Sequence, residues 1–286
     1  MSAMKVLVTG VKGQLGYDVI RHLNLRGVEC KGVDIEDFDL TDETAVREAI
    51  TAYSPDSVVH CAAFTAVDKA EEMQDVCRAV NVDGTRNVAL ACKEINAKMV
   101  YLSTDYVFDG KGERFFEPDD NKAPVNFYGL SKLEGEEVVT ALLKKYFIVR
   151  ISWVFGLNGG NFVKSMLRLG EERDVINVVC DQIGSPTYTY DLASLLCDMI
   201  ETEKYGVYHA TNEGICAWSD FAAAIMKEGG RKAKINPIPS SEYPAKAARP
   251  YNSRMSKEKL VEAGFAKLPP WQDALARYIK ELEAQA

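Results

Sequence analysis

The chain has 286 residues, with 34 Lys and Arg against 42 Asp and Glu and a net charge of −8. That length suits one large α/β domain or two unequal lobes with ample core. The acidic balance, without any Lys/Arg-rich run or basic aromatic stripe, argues against a nucleic-acid partner.

The first predicted element is the strand Val6-Leu7-Val8, reached from Met1 without the basic region and apolar core of a secretion signal. No apolar run approaches membrane-spanning length, so a cytoplasmic protein with no membrane partner is expected. The strand ends in Thr9-Gly10-Val11-Lys12-Gly13-Gln14-Leu15-Gly16, followed by the helical pattern Leu15, Val19, Ile20, Leu23. Strand, glycine turn and helix in that order let the backbone approach a pyrophosphate, whose charge is met by free N–H groups and the helix dipole. Asp34 closes a second apolar strand, Cys30-Lys31-Gly32-Val33. A carboxylate there can bond both hydroxyls of an adenosine ribose and repel a 2′-phosphate, whereas Lys12 in the loop would attract that phosphate. NADH with some NADPH use is expected.

Further strands near 57–60, 98–103 and 147–151, separated by helical patterns, predict a Rossmann-type doubly wound parallel sheet over residues 1–155. Ser57-Val58-Val59 and Met99-Val100-Tyr101-Leu102 are apolar without alternation, as expected where helices cover both faces. Ligands of such sheets sit beyond the carboxyl ends of the strands, which gathers Gly10, Asp34, Ala62, Ser103 and Ile151-Ser152-Trp153 around one crevice. After about residue 155 Gly, Pro and Asn become frequent, at 156–161, 184–187 and 237–241. Helical patterns at roughly 162–170, 188–202, 218–228, 256–263 and 271–283 predict a smaller α/β substrate lobe over 156–286, with Ser256 as N-cap of the fourth. Segments 175–180 and 206–210 read as strands able to return to the main sheet, so the two lobes are expected to interleave.

Tyr128 and Lys132 stand four residues apart in the helical stretch Leu130, Leu133, Val138, Val139, which puts both on one face. An ammonium beside a phenol favours the phenolate and lowers its pKa, so the pair is suited to proton transfer. Ser103-Thr104-Asp105-Tyr106 at a strand end supplies hydroxyl and phenol groups that can polarise a carbonyl. Histidine catalysis is a poor expectation: His22, His60 and His209 lack metal-ligand spacing, and the seven scattered cysteines contain no C-x-x-C pair.

The ordered motifs Thr9–Gly16, Asp39-Leu40-Thr41-Asp42, Ala62-Ala63-Phe64-Thr65-Ala66-Val67-Asp68, Ser103-Thr104-Asp105-Tyr106-Val107-Phe108-Asp109-Gly110, Tyr128-Gly129-x-x-Lys132, Arg150-x-x-Trp153-Val154-Phe155-Gly156, Asp181-Gln182-x-Gly184-x-Pro186-Thr187 and Arg249-Pro250 resemble the extended short-chain dehydrogenase/reductases. Within that superfamily the chain resembles the dTDP-4-dehydrorhamnose reductases over essentially its whole length. The resemblance implies a dTDP-sugar partner whose 4-keto oxygen is protonated by Tyr128 and hydrogen-bonded by Thr104, with Lys132 holding the nicotinamide ribose. It assigns Gly10, Lys12, Gly13, Gln14, Leu15, Asp34, Asp39, Leu40, Ala62, Ala63, Thr65, Tyr128 and Lys132 to the cofactor. The sugar nucleotide is given Val67, Thr104, Asp105, Tyr106, Trp153, Gln182 and Arg249, the last as a bidentate phosphate donor.

A homodimer fits the resemblance. Some relatives bridge subunits with magnesium; Asp18 fits one ligand position and Tyr190 occupies the other, but Asp191 next door leaves such a bridge open, and no metal is expected in the chemistry. Tyr106 stands where family dehydratases carry a glutamate, which argues against dehydration. Two other readings stay open at this point: a nucleotide-sugar epimerase, and a regulatory subunit of the kind that binds methionine adenosyltransferase.

Overall fold

Residues 4–285 are described by the computed structural model; Met1 to Ala3, which lead into the first strand, and Ala286 lie outside them. Five parallel strands, β1 (Lys5–Thr9), β2 (Glu29–Val33), β3 (Ser57–His60), β4 (Lys98–Thr104) and β5 (Tyr146–Ile151), form one sheet with a sixth, Gly206–His209, which pairs with β5. The order is β2-β1-β3-β4-β5 and then Gly206–His209. Strand side chains alternate between faces. Val6, Val8, Val59, Val100, Leu102 and Phe147 pack under helices α1 (Gln14–Leu25) and Thr189–Ile200, while Leu7, Val58, Met99, Tyr101 and Ile148 pack under α2 (Glu43–Tyr53) and the helices Thr85–Glu94 and Phe127–Leu142. Chain direction across the sheet reverses between β1 and β3, opening a crevice at their carboxyl ends.

The C-terminal half interleaves with this sheet, since the Thr189–Ile200 helix packs on α1 and Gly206–His209 extends the sheet edge. Its remaining elements surround a second core rich in aromatic residues, including Phe155, Tyr188, Phe221, Trp271 and Tyr278.

Three expectations are corrected. The strand Val175–Val179 does not return to the main sheet; it pairs with Lys234–Ile238 in a separate two-stranded sheet. Its alternation explains why: Ile176 and Val178 are buried and Val175 and Asn177 exposed, a strand covered on one face only. β2 is not an apolar strand but the sheet edge, with Glu29, Lys31 and Gly32 exposed and Val33 alone buried. The fourth C-terminal helix is limited to Glu258–Glu262, because Ser256 is still in extended pairing, its N–H donating to Phe116 O (2.9 Å), and Gly264 at φ +77° follows the end. Ser256 Oγ nevertheless accepts from Glu258 N at 3.3 Å. Among the described residues no helix is long and apolar enough to cross a membrane. All three histidines are buried, and burial lowers the pKa of each.

Candidate active site

The glycine loop fits a bound dinucleotide phosphate on its own geometry. Gly10 has φ +71°, and a Cβ there would come within 2.7 Å of Ala62 N, so only glycine lets the β1 and β3 turns approach. Helix α1 starts behind an N-cap, Gly13, that offers no side chain, and its first turn holds no acidic residue. Its leading N–H groups and positive dipole end are therefore left for an anion.

This loop opens into a cavity of about 760 Å³ whose wall includes Gly10, Lys12, Gly13, Gln14, Leu15, Asp34, Asp39, Leu40, Ala62, Ala63 and Thr65, together with Thr104, Asp105, Tyr106, Tyr128, Lys132 and Trp153. Ser103, Ile151 and Ser152 complete the crevice expected from the strand ends.

Two clamps that have no local signature hold the cavity in shape. In a π-helical turn, Ala79–Gly84, Asn81 accepts from Phe64 N (2.8 Å) and donates to Phe64 O (3.1 Å) and Ser131 Oγ (2.9 Å). It thereby ties the loop after β3 to the helix carrying Tyr128. From the segment after β5, Asn158 donates to Lys12 O (2.7 Å) and Asn161 to Gln14 Oε1 (3.1 Å).

Tyr128 and Lys132 share one face of the Phe127–Leu142 helix, whose N-cap Asn126 accepts from Gly129 N at 2.8 Å. Lys132 is 3% exposed, with its ammonium 4.1 Å above the Tyr101 ring, and burial pulls its pKa down to about 7. Tyr128 is not lowered as the pairing with Lys132 predicts. Burial pushes its phenol up and the charge of Asp105 adds to the rise, with a hydrogen bond to Thr104 as partial relief. The phenol is therefore protonated at neutral pH, the state in which it can donate to a carbonyl oxygen.

Thr104 Oγ1 donates to Asp105 Oδ1 (2.9 Å) and accepts from Tyr106 N (3.2 Å), while Ser253, far along the chain, donates to the other Asp105 oxygen. Burial raises Asp105 from an ordinary value of 3.8 to about 6. A carboxyl whose pKa is raised on folding contributes stability that is fully present below the unfolded value and lost as the pH rises through the folded one. Asp105→Asn is therefore expected to be more stable than wild type above about pH 6, on the order of 1–3 kcal/mol. That gain should vanish as the pH falls below about 4, read as thermal midpoints across the range.

Three expected sugar-nucleotide residues lie outside the cavity wall. Val67 opens the short helix Val67–Ala70, and Gln182 donates to Ser240 Oγ (3.0 Å). Arg249 is engaged by both oxygens of Asp68 (3.1 and 2.7 Å), so it must exchange that partner before it can take a phosphate. Asp18 and Asp191 are likewise occupied, Asp18 by Arg21 (2.8 Å) and Thr189 (2.5 Å), Asp191 by Arg277 (2.8 and 2.7 Å) and Asn212 (2.8 Å). Among the described residues no group of three or more His, Cys, Asp or Glu is placed to hold a metal ion.

Trp153 has φ +50°, a conformation that costs a bulky residue on the order of 1–3 kcal/mol. Its indole lies flat on Trp218, with ring centroids 3.8 Å apart and planes at 14°. Trp218 also lines the cavity and was not anticipated; it is 65 residues from Trp153 in a helix that reads simply as amphipathic.

A family model described as RmlD substrate binding domain matches residues 4–284. The spore coat polysaccharide biosynthesis protein SpsK of Bacillus subtilis (strain 168) is 42% identical over 277 residues, 97% of each chain. A dTDP-4-dehydrorhamnose reductase of Aggregatibacter actinomycetemcomitans is 39% identical over 284 residues, 95% of this chain and 97% of that one. The crystal structure of a dTDP-4-dehydrorhamnose reductase from Bacillus anthracis str. Ames in complex with NADP superposes with a TM-score of 0.95 at 42% identity, covering 98% of this chain and 99% of that one. With full-length relatives at this identity and a cavity that joins a glycine loop to Thr104, Tyr128 and Lys132, the chain belongs to the dTDP-4-dehydrorhamnose reductase family.

Proposed function

We propose that this protein is a cytoplasmic NAD(P)H-dependent oxidoreductase that reduces the 4-keto group of dTDP-4-dehydro-L-rhamnose to give dTDP-L-rhamnose. The observation that carries the reading is one cavity lined by both the α1 cradle and the protonated Tyr128 phenol beside Thr104. The nicotinamide, when bound, supplies a hydride to the carbonyl carbon. Gly10, Gly13, Gln14 and Leu15 hold the pyrophosphate, with Asp34 at the adenosine ribose and Asp39, Leu40, Ala62, Ala63 and Thr65 along the remaining length. Lys132 holds the nicotinamide ribose from its buried position against Tyr101. Tyr128 gives its proton to the ketone oxygen as charge builds there, and Thr104 hydrogen-bonds the same oxygen. Asp105 bears on that step, because it takes the single Thr104 proton while it is ionised.

Cofactor preference follows from a competition for Lys12. Asp34 is engaged by the N–H groups of Lys12 (2.8 Å) and Ile35 (2.9 Å), and the Lys12 ammonium pairs with Glu36 at 2.5 Å, both side chains being exposed. A 2′-phosphate beside Asp34 must draw Lys12 away from Glu36 and sits near two carboxylates. Glu36→Gln should raise the ratio of kcat/KM for NADPH over NADH by about fivefold, the scale of one exposed charge pair, and Lys12→Met should lower it.

The direct test follows NADPH and NADH absorbance with enzymatically generated dTDP-4-dehydro-L-rhamnose. Oxidation with formation of dTDP-L-rhamnose is the expected result. A folded, dinucleotide-binding protein that oxidises neither cofactor would turn the assignment toward an epimerase or a regulatory subunit.

A further inference from the structure

The Trp153–Trp218 pair is built with more constraint than a cavity wall requires. Trp153 comes two residues after the end of β5, and the register of that strand sets Ile151 opposite Thr104, so Trp153 stands two residues beyond the level of the hydroxyl proposed to bond the ketone. Its carbonyl accepts from Thr187 N at 3.1 Å. One side of the ring meets Gly184, where a Cβ would come within 2.8 Å of Cε2, so that any larger residue would displace the ring. One face is covered by Trp218, which is itself backed by Phe162 at 4.5 Å and 58°. Trp218 opens the Trp218–Glu228 helix, where Ala217 N donates to Asp220 at 3.0 Å and anchors the turn.

Neither indole is fully buried, and both border the same cavity as Tyr106 and Tyr128. Aromatic pairs in protein cores favour offset or edge-on contact, so a near-parallel stack in the wall of the cavity holds an indole as a flat apolar surface for a reason other than packing. A pyranose has one such complementary surface, its C–H face, and a 6-deoxyhexose enlarges it with a methyl group where other hexoses carry a hydroxyl. Ligand sites of this kind combine apolar walls with a few polar groups that fix orientation, here Thr104 and Tyr128.

We propose that Trp218 is a specificity-determining residue: it backs Trp153, and the stacked pair takes the apolar face of the deoxyhexose so that the 4-keto group is presented to Tyr128 and Thr104. This rests on the reading that the substrate is a nucleotide-linked 4-keto-6-deoxysugar. Trp218 acts on the sugar and not on the dinucleotide, whose cradle is formed by the glycine loop and the ends of β1 to β3.

Steady-state kinetics of Trp218→Ala and Trp218→Phe, together with calorimetric binding of dTDP-L-rhamnose and of NADPH, test it. The expected result is a rise of about tenfold in KM for the ketosugar and a matching loss of dTDP-L-rhamnose affinity in Trp218→Ala. The NADPH affinity should stay within about twofold, the scale of a site left unperturbed, and Trp218→Phe should recover most of the sugar affinity. The exciton signal of two stacked indoles in circular dichroism should be present in wild type and absent in both variants. Unchanged sugar affinity in a folded Trp218→Ala protein overturns the proposal, as does a loss confined to NADPH. Should Trp218→Ala not fold, the milder Trp218→Leu takes its place with the same readouts. If wild type binds dTDP-L-rhamnose through Trp218 yet oxidises no cofactor, the reductase reading fails while the sugar contact stands; if wild type binds no dTDP-deoxysugar, the contact fails.

Discussion

Tyr128→Phe should lower kcat by about three orders of magnitude, the scale of a lost general acid, while the affinities for NADPH and NADH stay close to wild type. The substitution removes one oxygen and keeps the ring that lines the cavity and meets Tyr106 edge-on at 5.8 Å. Burial holds the Tyr128 phenol in its protonated form, so what is lost is the proton itself and not a nucleophile or a charge. Stopped-flow reduction of the ketosugar by the preloaded variant reads this step directly. Retention of more than about a tenth of the wild-type rate would show that another group, Asp105 through Thr104 being nearest by hydrogen bonding, supplies the proton.

Arg150→Ala should destabilise the protein by about 3–5 kcal/mol, the cost of leaving a buried ionic partner alone. Arg150 and Glu136 have side chains only 1% and 6% exposed and are joined by two hydrogen bonds, 2.8 and 2.7 Å. Arg150 also donates to Pro118 O (2.8 Å), and Ser103 donates to Glu136 (2.5 Å). The pair fastens the Tyr128-bearing helix to β5, and Glu136 lies one turn beyond Lys132, whose ammonium it favours. Chemical denaturation should show the loss, and Arg150→Met combined with Glu136→Gln should recover most of it, because no unpaired charge then remains buried. A loss below about 1 kcal/mol in Arg150→Ala would mean that water or a rearranged neighbour satisfies Glu136.

The legible parts of this protein are those whose physics acts over a few residues. Apolar runs placed β1, β3, β4 and β5, and the glycine spacing placed the α1 cradle, because each rests on backbone geometry within a few residues. That Tyr128 and Lys132 share one helix face was legible for the same reason, since they stand four residues apart. Their electrostatics were not. The Lys132 charge was expected to lower the phenol, yet burial, which no spacing records, dominates both groups. The strand at 175–179 was legible as a strand but not as to its partner, since Lys234–Ile238 lies far along the chain.

Sequence alone determined most of the sheet, the glycine loop, the helix face shared by Tyr128 and Lys132, and the convergence of strand ends on one crevice, because local periodicity and the carboxyl-end rule suffice for these. Tertiary structure decided which charges are free and which surfaces meet. Lys12 is paired with Glu36, Arg249 with Asp68, Asp105 with Ser253 and Trp153 with Trp218. Each pairing joins residues that are far apart in the chain and brought together only by folding, and at Asp105 burial adds to it by removing the water that would otherwise satisfy the carboxyl.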